Sequence, residues 1–327
     1  MPGELLEDRV LVEDATEAST LYNRGYFGSP RSGGGLELDL MEAVYLVEAE
    51  RLEVRRGGRA VSARDLFRAA GAAVPSFEIR YLVYRDLRQR GYIVESRSGS
   101  VDFQVYPRGG APKKTPSKYW VRALSERAVF DLAELLERAE EAAAVRKTLL
   151  LGLVDEESDL TYYGVREARP SGHRPIGTPK ERVVVHFLGD RAVVIDEAQA
   201  RALHEAGFFG KMIGRRLQLS LLETAFLLKG GFAEVRNADT DRPIGLARLT
   251  KEAKEIQPDF DLRLRAYEGD PEAHHAKYLV HVVPKGHRGA WPEISRAVRL
   301  AHGVKKQILF GEVGDEVRYV KLERVRP

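Results

Sequence analysis

The sequence predicts an α/β protein with mixed sheets, built as a tandem repeat of one two-part unit. Each unit has a small amino-terminal α/β part followed by a carboxy-terminal α/β part. Three observations predict this. A chain of 327 residues with 43% hydrophobic content exceeds the usual size of a single core and can fill two. Segments far apart in the chain echo one another at nearly constant offsets. Within each echo, apolar residues recur at helical spacing between short alternating runs, which places helices against sheets.

The elements follow in order. RVLVEDATEA from Arg9 returns as RAVVIDEAQA from Arg191, and RGYFG ending at Gly28 returns as AGFFG ending at Gly210, both at an offset of 182. LELDLMEAVYLV from Leu36 matches LQLSLLETAFLL from Leu217 at 181, a one-residue difference in a loop. Farther on, SKYWV around Tyr119 matches AKYLV around Tyr278, and AVRKTLLLG around Lys147 matches GVKKQILFG around Lys306, both at 159. Offsets held across elements thirty residues apart mark copies of one fold. The stretch REARPSGHRPIGTPKER, rich in Pro, Gly and Ser, reads as a linker. The expected organisation is therefore a first repeat over 1–165, a linker over 166–182 and a second repeat over 183–327.

The fall in offset has a definite location. Phe77 pairs with Phe260 at 183, whereas Tyr106 pairs with Tyr267 at 161, so the second copy is 22 residues short between them. In the first copy those positions carry the rest of a helix, a strand, a loop and most of another strand. Removing central elements from a packed sheet strips its core. The favoured expectation is that the written sequence omits a stretch the protein possesses; the alternative is a shortened, catalytically dead second copy.

Composition narrows the chemistry. With no cysteine, disulfides, thiolate metal sites and cysteine nucleophiles are excluded, leaving oxygen and nitrogen groups. The 52 basic and 49 acidic residues give a net charge of +3, which excludes a uniformly basic nucleic-acid coat and makes local clustering of Lys and Arg the relevant question. No run of eighteen apolar residues occurs, and MPGELLEDRV lacks the layout of a secretory signal, so a soluble, cytoplasmic protein without a membrane partner is expected. No cofactor or metal is expected. The Gly-dense SGGG at Ser32 lacks the Lys and Ser or Thr of a phosphate cradle, and PRGGAPKKTPSK from Pro107 reads as a solvated basic loop.

The strongest chemical constellation lies in the second copy, in HAKYLVHVV from His275 and SRAVRLAHGVKKQILF from Ser295. A His ahead of an alternating strand and a Lys opening another strand thirty residues later can meet at one sheet edge. Taken alone, such a His is most often a solvated or hydrogen-bonded residue, and such a Lys a helix end favoured by the dipole. The comparison between copies adds weight: His275 aligns with Pro116, Lys306 with Lys147, Arg299 with Glu140 and Arg296 with Glu137. The first copy has thus lost the imidazole and reversed two charges, so one working site and one structural copy are expected.

These two segments resemble the carboxy-terminal catalytic motifs of archaeal-type tRNA-splicing endonucleases. LYNRGYFG, LDLMEAVYL and YLVYRDLRQRGYIV of the first copy resemble the same family's recurring elements, so the resemblance covers nearly all of both copies. The resemblance implies a nuclease-like carboxy-terminal part in each unit and, for an inactive copy fused ahead of an active one, a homodimer. It implies cleavage of precursor tRNA at bulge-helix-bulge junctions without a metal, leaving 2′,3′-cyclic phosphate and 5′-hydroxyl ends. His275 would be the general acid for the leaving 5′ oxygen, chosen over His274 by its spacing to Tyr278, and Lys306 would stabilise charge on the phosphate. The family's general-base Tyr belongs to a Gly-rich loop that falls within the missing 22 residues, so no residue takes that role here; Tyr267 matches a later, structural Tyr.

The same resemblance assigns Arg299 and Arg324 to stacking on a splayed bulge base, with Arg296 beside them on RNA phosphates. It also implies that the acidic run VDEESDLTYY, with Asp155, Glu156, Glu157 and Asp159, docks into a basic pocket on the partner's active unit, and that VRYVKLERV from Val317 adds strand pairing or apolar contact between units. Two other classes compete: a noncatalytic RNA-binding or assembly subunit, which a real shortening favours, and a metal-dependent DNA nuclease. For the latter, Pro258 and Asp259 start a motif that no properly placed acid and Lys complete.

Overall fold

The computed structural model spans the chain without a break. It describes all residues except 1, 172–176, 178, 257–261 and 268–272, and for 252–256 and 262–265 it describes the backbone alone. Phe260, Pro258 and Asp259 lie outside the described residues.

The amino-terminal part of the first copy comprises β1 (Pro2–Leu5), β2 (Arg9–Val12), α1 (Ala15–Gly25), β3 (Ser29–Pro30), β4 (Leu36–Asp39), α2 (Leu40–Glu48), β5 (Glu53–Arg56), β6 (Arg59–Val61) and α3 (Ala63–Ala73). Its carboxy-terminal part comprises α4 (Phe77–Gln89), β7 (Ile93–Ser96), β8 (Phe103–Tyr106), β9 (Tyr119–Ser125), β10 (Val129–Asp131), α5 (Leu132–Ala144), β11 (Thr148–Val154) and β12 (Leu160–Ala168). The second copy repeats the first pattern with β13 (Val183–Phe187), β14 (Ala192–Val194), α6 (Glu197–Gly207), β15 (Lys211–Ile213), β16 (Arg216–Leu219), α7 (Leu221–Lys229), β17 (Ala233–Asn237) and α8 (Leu246–Ile256). It ends with β18 (Leu262–Ala266), β19 (Tyr278–Pro284), β20 (Arg288–Ala290), α9 (Trp291–Gly303), β21 (Gln307–Val313) and β22 (Val317–Val325).

The repeat extends to individual hydrogen bonds. Asp14 and Asp196 cap α1 and α6 through their carboxylates, and each helix stops at an aromatic residue in the left-handed region, Tyr26 or Phe208. α2 and α7 open with capping boxes, Asp39 with Glu42 and Ser220 with Glu223. In each box the Glu reaches farther: Glu42 Oε1 accepts from Gly28 N at 2.8 Å, and Glu223 Oε1 accepts from Gly210 N at 2.6 Å. Both glycines have positive φ, and a Cβ on either would lie within 2.5 Å of a strand carbonyl, Glu37 O or Gln218 O. This explains why RGYFG and AGFFG recur together with the helix that follows them.

The two amino-terminal sheets have matching strand orders, β3-β4-β2-β1-β5-β6 and β15-β16-β14-β13-β17. The carboxy-terminal parts instead share one sheet, ordered β18-β19-β21-β22-β12-β11-β9-β8-β7 among the described residues. Its seam is the antiparallel pair β12 with β22, running from Tyr162 opposite Val325 to Ala168 opposite Tyr319. VRYVKLERV therefore pairs strand to strand within the chain. β12 continues through Ala168, so 166–168, the first residues of the stretch read as a linker, are strand residues held by Lys321, Val320 and Tyr319. α5 and α9 cover one face of this sheet, and a single core runs across the seam from Leu149, Leu151 and Val165 to Phe310, Val320 and Leu322. Phe130 meets Trp291 edge to face at 5.1 Å, and β10 pairs with β20.

The shortfall of the second copy falls between α8 and β18. α8 is the counterpart of α3 and β18 that of β8; among the described residues α4 and β7 have no counterpart. β7 is the edge strand of the sheet, so its loss removes one end of the ladder and leaves the interior pairing intact. Losing the α4 counterpart has a larger effect. In the first copy Phe77, Tyr81, Val83, Tyr84 and Leu87 of α4 join the amino-terminal part and the sheet into one core. The amino-terminal part of the second copy has a separate core around Val185, Leu203, Leu217 and Leu227. The chain accordingly divides into two compact units, one over 1–169, 264–266 and 277–327, the other over 170–263 and 267–276. No helix among the described residues is long and apolar enough to cross a membrane.

Candidate active site

β19 and β21 run parallel with Tyr278 opposite Gln307, so their amino-terminal ends lie side by side; Gln307 N donates to Lys277 O at 3.0 Å. Lys306 precedes Gln307 and is placed by the end of α9. Lys305 adopts a left-handed conformation (φ 54°), letting Lys306 N donate to Ala301 O at 2.8 Å and Lys305 N to His302 O at 3.0 Å. This pair of bonds satisfies carbonyls that the last helical turn leaves open and holds the Lys306 backbone at the strand entry. The first copy repeats the device: Arg146 is left-handed (φ 57°) and Lys147 N donates to Ala142 O at 2.8 Å. The matched lysines thus occupy matched backbone sites. Lys306 is half-buried.

His275 stands three residues before Tyr278; it and His274 are exposed, whereas Ala276 is buried. His281, three residues beyond Tyr278 in β19, packs against Phe310 with ring centroids 5.2 Å apart and belongs to the core face. Arg296 and Arg299 are exposed on α9, whose apolar face (Ile294, Val298 and Ala301) packs on the sheet. Arg324, also exposed, lies opposite Tyr163 across the seam. Glu140, the counterpart of Arg299, pairs with Arg318 of β22, so the reversed charge ties α5 of the first copy to a strand of the second. Among the described residues no group of three or more His, Asp or Glu is arranged to hold a metal.

The acidic run forms the β11–β12 hairpin loop. Asp155 Oδ1 accepts from Glu157 N at 3.0 Å and Asp159 N at 2.8 Å, and Glu156 pairs with Arg127 at 2.6 Å. Asp155 therefore shapes the loop and Glu156 is bound within its own copy, whereas Glu157 and Asp159 point exposed carboxylates outward with no described partner. Tyr106 is buried and donates to Glu95 at 2.9 Å; burial first, then that hydrogen bond, pushes its hydroxyl up to about 12. Such a group holds its proton and serves the sheet, which fits the structural reading of its counterpart Tyr267.

A family model described as the amino-terminal domain of tRNA intron endonuclease matches residues 1–67 and 184–250, and the model of the family's catalytic carboxy-terminal domain matches 77–162 and 256–319. The chain belongs to the tRNA intron endonuclease family. Proteins named tRNA-splicing endonuclease from Methanococcoides burtonii (38% identical), Methanosarcina acetivorans (37%) and Halobacterium salinarum (30%) align with it over the full length of both partners. Both domains occur twice, so this member of the family is a tandem repeat and carries an endonuclease's catalytic domain. The catalytic match covers 86 residues in the first copy and 64 in the second, 22 fewer. The alignment with the M. burtonii protein extends over 356 residues, more than the 327 of this chain, so that relative has positions this one lacks. The sequence offered strand pairing of Val317–Val325 between units without its partner, which is β12. The alternation of Val317–Val325 against that of Leu160–Ala168 was the available signal.

Proposed function

We propose that this chain cleaves precursor tRNA at bulge-helix-bulge junctions as a cytoplasmic homodimer, using a second, catalytic copy (183–327) joined through 166–182 to a degenerate first copy (1–165). In this reading the ribose 2′ hydroxyl attacks the phosphorus, its proton passing to water because no residue of the chain is assigned as base, and the bond from phosphorus to the 5′ oxygen breaks as His275 protonates that leaving oxygen. Lys306 stabilises the charge that develops on the phosphate oxygens, a role a fixed cation serves best at a water-poor strand end. The products are a 2′,3′-cyclic phosphate and a 5′ hydroxyl, and no metal is needed because the nucleophile belongs to the substrate. Arg299 and Arg324 stack on a splayed base and Arg296 contacts phosphate. The observation that carries the reading is the match of the catalytic domain to the segment holding the parallel strand entries of β19 and β21, with Lys306 fixed at one.

A second reading, a noncatalytic RNA-binding subunit, is favoured by the 22-residue shortfall, which removes the segment expected to hold the general base. One experiment separates them. Full-length protein is incubated with a bulge-helix-bulge RNA in excess chelator and the product ends are analysed. Cyclic phosphate ends at the bulges, lost in His275→Ala and retained in His274→Ala, are expected. Binding without cleavage establishes the second reading, and cleavage only on adding metal overturns the His and Lys scheme.

A further inference from the structure

The seam between the copies carries a cavity that the catalytic reading does not use. It has a volume of about 380 Å³ and opens on the sheet face opposite α5 and α9. The register of β12 with β22 sets Arg166 directly opposite Lys321, and Gly164 opposite Glu323. Lys118, at the head of β9, and Arg326, just past β22, complete the charged lining. Glu323 pairs with Lys321. Among the described residues no carboxylate pairs with Lys118, Arg166 or Arg326, so four cations and one acid surround the space.

Two cations directly opposite on one face of an antiparallel pair repel, and a sheet keeps such a pair at a cost unless an anion sits between them. Gly164 leaves the floor open: a Cβ there would meet Val325 at 3.5 Å and nothing closer. A planar guanidinium beside flexible ammonium groups suits a multi-oxygen anion. The lining draws on strands of both copies, so the cavity exists because they share a sheet. Its charge belongs to a protein whose family acts on a polyanion.

We propose that this cavity seats a backbone phosphate of the bound RNA away from the scissile bond, making the degenerate copy an anchoring surface. The inference rests on the RNA-cleavage reading and adds to it a site made by Arg166, Lys118, Lys321 and Arg326. The test uses full-length protein and a bulge-helix-bulge RNA carrying 2′-deoxy sugars at the cleaved positions, with binding measured from low to moderate salt. Arg166→Gln and Lys118→Gln each keep a long polar side chain, and unchanged melting curves certify their folding. Each is expected to weaken binding several-fold at low salt and to reduce the slope of log affinity against log salt by about 0.7–0.9, the value for one lost phosphate contact. Arg59→Gln on β6 serves as a remote control. Unchanged affinity and slope in both folded variants, or an equal change in the control, overturns the anchoring site while wild-type cleavage leaves the catalytic reading standing. Failure of wild-type protein to bind this RNA, together with failure to cleave its all-ribose counterpart, overturns both.

Discussion

At the scale of single residues, the repeat is fixed by backbone needs that few side chains can meet. Gly28 and Gly210 donate to Glu42 and Glu223 from a left-handed conformation, against a strand carbonyl too close for a Cβ. Forcing an L side chain into such a position costs on the order of 1–3 kcal/mol. Gly28→Ala and Gly210→Ala should each destabilise the protein by about that amount in urea unfolding, and a loss below 0.5 kcal/mol, about the scatter of neutral surface changes, would remove this account. Lys306 is held in the same backbone-driven way by its left-handed neighbour Lys305, as Lys147 is by Arg146. The match at the lysines therefore reflects shared helix ends, whereas His275 against Pro116 is a difference in side-chain chemistry between the copies.

At the scale of elements, α4, which has no counterpart among the described residues of the second copy, decides how the molecule divides. α4 supplies the aromatic side chains that merge the amino-terminal part and the sheet of the first copy into one core. Without it the amino-terminal part of the second copy keeps a core of its own and forms its own compact unit. Separate cores unfold as separate cooperative units. Calorimetry should therefore resolve two transitions, with Gly210→Ala lowering one and Gly28→Ala the other; a single transition shifted by both variants would show one cooperative unit. Trp291 probes the larger unit, because it is fully buried at the seam against Phe130 and Tyr163. Trp291→Ala should cost roughly 3–5 kcal/mol in that transition alone. Its Nε1 has no hydrogen-bond partner among the described residues, so Trp291→Phe should cost distinctly less. Equal losses for the two variants would contradict this packing account.

The amino-terminal elements were legible in the sequence because each begins with a capping residue and ends with a turn residue at a repeated spacing. The sheet was less legible. Strand alternation in Val317–Val325 says that one face is apolar, and partner choice depends on side chains of β12 that are 150 residues away in the chain. The shortening was visible as an offset, but the core-forming role of α4 emerges only from its contacts.

At the scale of the whole molecule, the proposed homodimer turns on which acids remain available. The resemblance offers four: Asp155, Glu156, Glu157 and Asp159. Two are engaged at home, since Asp155 accepts loop amides and Glu156 pairs with Arg127. If this loop docks on a basic surface of a second chain, the attraction has to come from Glu157 and Asp159, and charge-assisted contacts of this kind weaken with salt. Replacing Glu157 and Asp159 together by Lys should convert dimer to monomer in sedimentation at moderate salt, whereas Glu156→Gln should leave assembly intact because it alters only a surface pair worth about 0–1 kcal/mol. The Asp155→Ala change should also weaken the dimer, through loss of the turn that presents the other two. An unaltered dimer in the Glu157, Asp159 double variant would move the interface elsewhere. The seam within the chain needs no second copy, so the monomeric variant should keep the shared sheet and both unfolding transitions while its assembly is lost.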